Sequence, residues 1–219
     1  MTQTISIRFP VFSVFYLLIA FICHPATAET NADYVYFTNG DTPDNWTWVA
    51  ADPSNWWVPI EGNEGKSKSG KVKIKPIDFK GKGDAVTISW SRKDNWGNMA
   101  LQGRTVDLSK FEKTGELAIA IKMDKKPNKP VKLTLECGEN CKAEIQIKDM
   151  LREAPVGQWF ALPIPLDCYK QKGADLSKVT SPFSIGTDGI LTISIAEIRL
   201  QQMASGDQGC IPNSEQTEE

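Results

Sequence analysis

One short segment concentrates groups suited to recognising a polar ligand. Between positions 92 and 98 stand Arg92, Asp94, Asn95, Trp96 and Asn98, which supply a cation, an acid, two amides and an indole. The C–H faces of a pyranose pack on an aromatic ring, and planar amides or charged groups bind its paired hydroxyls, so this inventory fits a carbohydrate. Trp57 is a second candidate platform. Trp56 and Trp57 are adjacent and cannot both point the same way on a regular strand, so one of them is expected to be exposed; the sequence does not choose between them.

Other chemistries are poorly supplied. The only histidine is His24, and it falls in a leader-like segment, so the remainder has no imidazole for a serine or cysteine triad or for the usual zinc sites. A glycosidase needs only two carboxylates. The acids here sit in turns and on wet strand faces, with no sign of a pair held in an apolar cleft, and a noncatalytic protein is expected. No cofactor is required. The one metal candidate is Glu197, which with backbone carbonyls is a weak candidate for structural calcium.

Residues 1–28 read as a signal peptide. Arg8 precedes an apolar run from Phe9 to Cys23, and Ala26-Thr27-Ala28 is a small-x-small cleavage signature. The run is short of the roughly 20 residues of a membrane span. A periplasmic or secreted protein is expected, with no membrane insertion after cleavage. Four cysteines follow the leader, an even number that implies disulfides in an exported chain. Cys137 and Cys141 flank Gly138-Glu139-Asn140 and face each other across a hairpin, which leaves Cys168 for Cys210. The second bridge tethers a polar tail, residues 201–219. A formal net charge of −2 gives no reason to expect a nucleic-acid partner.

The elements that must position these groups are strands. Val86, Ile88 and Trp90 alternate with Thr87, Ser89 and Ser91, the two-residue period of a strand with one buried and one wet face. The same period runs through Leu117 to Met123, Val131 to Cys137, Ala143 to Ile147 and Phe160 to Leu166, and the last strand, Ile190 to Leu200, is the longest apolar run among them. Trp90 and Trp159 are expected in the core. Val72 and Ile74 point inward, which makes Lys71, Lys73 and Lys75 an outward ridge, extended by Lys66, Lys68, Lys80 and Lys82. Such a ridge suits an acidic polysaccharide or a protein partner, and it equally protects an edge strand from pairing with another chain. No stretch after the leader keeps a 3.6-residue period over several turns. Eight or nine short strands with glycine and proline turns predict an all-β fold, an antiparallel jelly-roll β-sandwich over residues 29–200.

The order of several short pieces resembles one domain family. They include Gly83-Asp84-Ala85, Trp90, Ala100-Leu101-Gln102-Gly103, Val106-Asp107-Leu108-Ser109 and Leu135-Glu136-Cys137-Gly138-Glu139-Asn140-Cys141. Gly157-Gln158-Trp159, Pro165-Leu166-Asp167-Cys168, Gly173-Ala174-Asp175-Leu176-Ser177, Pro182-Phe183 and Ile198-Arg199-Leu200 follow in register. The set is similar to the galactose-binding-like domain at the C-terminus of ExoP-type exo-beta-glucanases, whose catalytic part is a family 3 glycoside hydrolase. The resemblance implies a sandwich akin to carbohydrate-binding modules and an accessory role, here directly after a signal peptide rather than attached to the enzyme. Two functions stand on this reading. One is exported binding of a polysaccharide or oligosaccharide, a beta-glucan or a related polymer; the other is a protein-interaction or structural module of the envelope that uses the lysine-rich strand.

Overall fold

The structure, a computed structural model, describes residues 34–43, 46–93, 95–206 and 209–210. The expected signal peptide lies outside the described residues, as do Asp94 and residues 211–219 of the tail.

Two antiparallel sheets face each other. The larger has seven strands: β1 (Val35–Thr38), β4 (Gly65–Lys66), β5 (Val72–Ile77), β6 (Ala85–Trp90), β8 (Gly115–Lys125), β11 (Trp159–Pro165) and β13 (Leu191–Gln202). Its order is β11-β8-β13-β6-β5-β4, with β1 also paired to β13. The smaller has six: β2 (Trp46–Asp52), β3 (Asn55–Ile60), β7 (Gly97–Gly103), β9 (Lys132–Glu136), β10 (Lys142–Gln146) and β12 (Ser181–Thr187), in the order β10-β9-β12-β7-β2-β3. The helical elements named among the described residues are short: α1 (Lys148–Glu153), α2 (Leu166–Gln171) and single 3-10 turns at Ser109–Phe111 and Leu176–Lys178. The all-β sandwich expected from the alternation is present.

Alternation fills the space between the sheets. Ile88, Ile119, Ile121, Ile193 and Ile195 of the seven-stranded sheet are buried, as are Trp48, Met99, Leu101, Leu133 and Phe183 of the six-stranded one. Trp48 stands edge-on to Phe37 and Phe183, at centroid distances of 5.5 and 6.0 Å. Trp90 is core as expected, and its Nε1 donates to Gly97 O at 2.9 Å, so a buried indole N–H is satisfied where β7 begins. Trp159 is not core. It is half-buried on the outer face of β11, opposite Lys122, with its ring 4.4 Å from that of Phe79. Its strand neighbours Leu162 and Ile164 take the inward phase, and an odd-numbered position on β11 is therefore an outward one.

Cys137 is bonded to Cys141 at the turn between β9 and β10, and Cys168 in α2 is bonded to Cys210. Glu197 faces Arg199, whose Nη1 lies 3.3 Å from its carboxylate. That guanidinium is the charged partner of the Glu197 carboxylate in this structure. Among the described residues, no group of three or more His, Cys, Asp or Glu side chains is placed to hold a metal ion.

Candidate functional site: an aromatic cleft on the six-stranded sheet

The outward face of the six-stranded sheet forms an open cleft of about 480 Å³. Its floor is the polar phase of strands whose other phase is core. Asn98, Ala100 and Gln102 of β7 alternate with buried Met99 and Leu101; Lys132, Thr134 and Glu136 of β9 alternate with buried Leu133 and Leu135. Val49 and Ala51 of β2, Ser184 of β12, and Lys142 and Glu144 of β10 complete it.

Three indoles stand over this floor. Trp56 and Trp57 on β3 are the most exposed large apolar side chains described, at 62% and 56%. The expectation that only one of the pair is exposed assumes a regular strand, and β3 is not regular. Ala50 pairs with Val58 and Asp52 with Asn55, so Trp56 and Trp57 together oppose the single residue Ala51. This is a β-bulge, in which the extra residue breaks alternation and re-aims a side chain. Both tryptophans consequently line the cleft. The hairpin turn before them is set by side chains: Asp52 Oδ1 accepts from Ser54 N at 2.9 Å and Asn55 Oδ1 from Trp57 N at 2.8 Å.

Trp96 comes from the segment between β6 and β7. Its indole lies against Gly186 in β12, where a Cβ would overlap the ring, and the Lys132 ammonium is 5.7 Å from its centroid. The segment is anchored from beneath by Lys71. This lysine is wholly buried, and its Nζ donates to Ser91 O at 2.9 Å and to Lys93, Asp188 and Gly189 carbonyls at 2.8 Å. Lys71 is therefore an internal tie between two loops and not part of an outward ridge; only Lys73 and Lys75 of that trio are exposed. A buried ammonium is tolerable when its donors are all engaged.

Polar groups on the floor are mutually oriented. Asn98 Nδ2 donates to Ser184 Oγ at 2.8 Å, and Gln102 Nε2 donates to Glu136 Oε2 at 2.7 Å. Glu144 bridges Lys132 at 2.5 Å and Lys142 at 2.9 Å. The Lys132 hydrogen bond, helped by Lys142 and opposed by burial, holds the Glu144 carboxyl below the ordinary range, so it stays ionised. A general acid in glycoside hydrolysis needs the opposite shift. The site offers ring faces and fixed donors and acceptors, which is the equipment of binding.

Of the residues singled out from sequence, Trp57, Trp96 and Asn98 meet in the cleft. Asn98 belongs to β7 rather than to a loop. Arg92 does not join them; it is exposed and lines a separate depression of about 260 Å³ with Asn128 and Asp188. Asn95 is half-buried and off the cleft lining, and Asp94 lies outside the described residues. Trp56, left undecided against Trp57 in the sequence, also lines the cleft, and Gln102, Lys132, Glu136 and Glu144 are cleft residues that sequence reasoning does not single out. Their only signal is the wet phase of an alternating strand, which does not reveal which wet face is concave.

A sequence model of the Exop_C family, described as galactose-binding domain-like, matches residues 46–200. The chain belongs to that family. Among solved structures, this galactose-binding-like domain is similar to the extra C-terminal domain of the exo-1,3/1,4-beta-glucanase ExoP from a Pseudoalteromonas species, with a TM-score of 0.65 and 21% identity over 82% of this chain and 99% of that one. It matches the longer ExoP structure at 22% identity and a TM-score of 0.65, over 80% of this chain and only 21% of the enzyme's. It is also similar to the family 30 carbohydrate-binding module of the cellulosomal cellulase Cel9D-Cel44B of Clostridium thermocellum, with a TM-score of 0.55 and 15% identity over 77% of this chain and 96% of that module. No curated protein matches. At these identities the solved structures establish a shared fold.

Proposed function

We propose that the domain is an exported, noncatalytic carbohydrate-binding module whose ligand is a neutral polysaccharide or oligosaccharide of the beta-glucan type, laid along the cleft of the six-stranded sheet. The observation that carries this reading is the convergence of Trp56, Trp57 and Trp96 over one polar floor. Exposed indoles are costly to leave in water and are well matched to sugar ring faces. The floor carries Lys132, Lys142, Glu136 and Glu144, two cations against two anions, largely paired among themselves, which favours hydroxyl recognition over capture of an acidic sugar. The family, and similarity to a domain of a beta-glucanase and to a module of a cellulase, support the glucan class. Two disulfides fit an oxidising compartment outside the cytoplasm.

Calorimetry of the protein with soluble mixed-linked and 1,3-linked beta-glucans tests this. Binding that is lost in Trp57→Ala or Trp96→Ala with unchanged circular dichroism is expected. No heat with either glucan, or equal affinity in the tryptophan variants, refutes it.

A further inference from the structure

The outer face of the seven-stranded sheet carries a different chemistry. Across the strands Lys66 pairs with Lys73, Lys73 with Ser89, Ser89 with Thr192 and Thr192 with Lys125, forming one row over β4, β5, β6, β13 and β8. With strands about 4.8 Å apart, the row is roughly 19 Å long. Lys75 stands beside it, paired with Thr87, and an open depression of about 460 Å³ lies among Glu64, Lys66, Lys73, Lys75, Thr87 and Ser89. Lys66, Lys73, Lys75 and Lys125 are all exposed.

The lysines of this row have no carboxylate partner among the described residues. By contrast Lys122, in the neighbouring row of the same face, and Lys132, Lys142 and Lys178 on other surfaces each have a carboxylate within 3.1 Å. Among the described residues, the ammonium groups of Lys66, Lys73, Lys75 and Lys125 make no ion pair or hydrogen bond. Lys66 and Lys73 are directly opposite each other, an arrangement that is destabilising for like charges. Protection of a sheet edge accounts for lysine on the edge strand β4. It does not account for Lys73, which is covered on both sides, by Lys66 of β4 and Ser89 of β6.

We propose that this row is a second binding face, independent of the cleft, for an extended polyanionic polysaccharide bearing carboxylate or sulfate groups. Unpaired ammonium groups at both ends of the row attract the anions, and the hydroxyls of Ser89 and Thr192 between them bind sugar hydroxyls. Lysine acts as a point charge and accepts either anion; no arginine fork selects a phosphate. The row itself carries no aromatic ring, and Trp159, which ends the neighbouring row, is half-buried against Phe79, which weighs against stacked bases of a nucleic acid.

The test is calorimetry of the whole protein with polygalacturonate and with dextran sulfate, in low salt where the Debye length is about 30 Å and again at 0.15 M. Binding to at least one, weakened by salt, about tenfold weaker in Lys73→Glu/Lys75→Glu and unchanged in Trp57→Ala, is expected. The arm that binds names the anion. Absence of binding to both overturns the proposal. So does an equal loss in Lys170→Glu/Lys172→Glu, at the opposite end of β8, since that shows attraction without a site. Tighter binding of an RNA homopolymer than of either polysaccharide also overturns it. Because Trp57→Ala leaves this face intact, failure here and failure of the glucan reading are separately visible.

Discussion

The indole of Trp96 lies on the bare α-carbon of Gly186, so that one residue's missing side chain is the seat of another's ring. Gly186 is the penultimate residue of β12 and pairs with Asn98 on one side and Lys132 on the other, both of which line the cleft. A methyl at this position has nowhere to go unless the indole moves. Gly186→Ala is expected to cost about 1–3 kcal/mol as an overpacked site and to weaken glucan binding more than a surface change would. Thermal melting and calorimetry on the same variant check both parts. Unchanged affinity would show that Trp96 does not contact the ligand.

Lys71 is the second anchor of that segment. Removing its ammonium takes the buried donor from four carbonyls, those of Ser91, Lys93, Asp188 and Gly189. Lys71→Met keeps the aliphatic stem and deletes the charge, and it is expected to destabilise by about 3–5 kcal/mol, lowering Tm by roughly 10 °C or more. A melt within a few degrees of the parent would mean that the two loops hold without the tie.

This lysine also marks a limit of what the sequence discloses. Alternation through Val72 and Ile74 correctly gives the inward phase of β5, and continuing the same period outward by one residue assigns Lys71 to the wet face. The strand ends at Val72. Beyond it the chain obeys the carbonyls it must satisfy rather than the pleat. Trp56 fails for a related reason, because periodicity is blind to a bulge. Trp159 fails differently: a tryptophan in an apolar run looks buried, yet its phase on β11 is the outward one. The fold is legible because alternation repeats in many strands and tolerates local error. The cleft is legible only in Trp57, Trp96 and Asn98, since a site assembled from the wet phases of six strands is defined by curvature and strand order, which composition does not encode.

Asp52 makes the hairpin of β2 and β3 sensitive to acid. Its carboxylate is buried and accepts from Ser69 N at 2.8 Å, Ser69 Oγ at 2.7 Å and Ser54 N. Burial alone would raise its pKa; the Ser67, Ser69 and Ser54 donors outweigh that and hold it well below the ordinary aspartate range. A group depressed in the folded state binds fewer protons there than in the unfolded chain. Its stabilisation is therefore full above the unfolded pKa of about 3.9 and is lost as pH falls toward the folded value. Asp52→Asn is expected to be less stable at pH 7 and to show a flatter decline of stability below pH of about 4. Urea midpoints measured across this range decide it, and parallel pH profiles for parent and variant would count against the assignment.

The bulge that presents both exposed tryptophans can be removed without shifting the strands around it. Trp56 and Trp57 oppose Ala51, while Val58 opposite Ala50 and Asn55 opposite Asp52 bracket them. Deleting Trp56 leaves one residue opposite Ala51 and makes the ladder continuous, whereas deletion from a regular strand would turn every later side chain to the wrong face. The deletion variant is therefore expected to fold, with a Tm within about 5 °C of the parent. Trp56→Ala and Trp57→Ala remove solvent-exposed rings and should change Tm by no more than about 2 °C. Each is expected to weaken glucan binding about tenfold, and the deletion should match Trp56→Ala. The two rings contact one ligand, so the double substitution should fall short of the product of the single losses, or exceed it, rather than multiply cleanly. A deletion variant that fails to fold would show that the extra residue is needed for pairing itself; one that folds and binds as tightly as the parent would remove Trp56 from the binding surface.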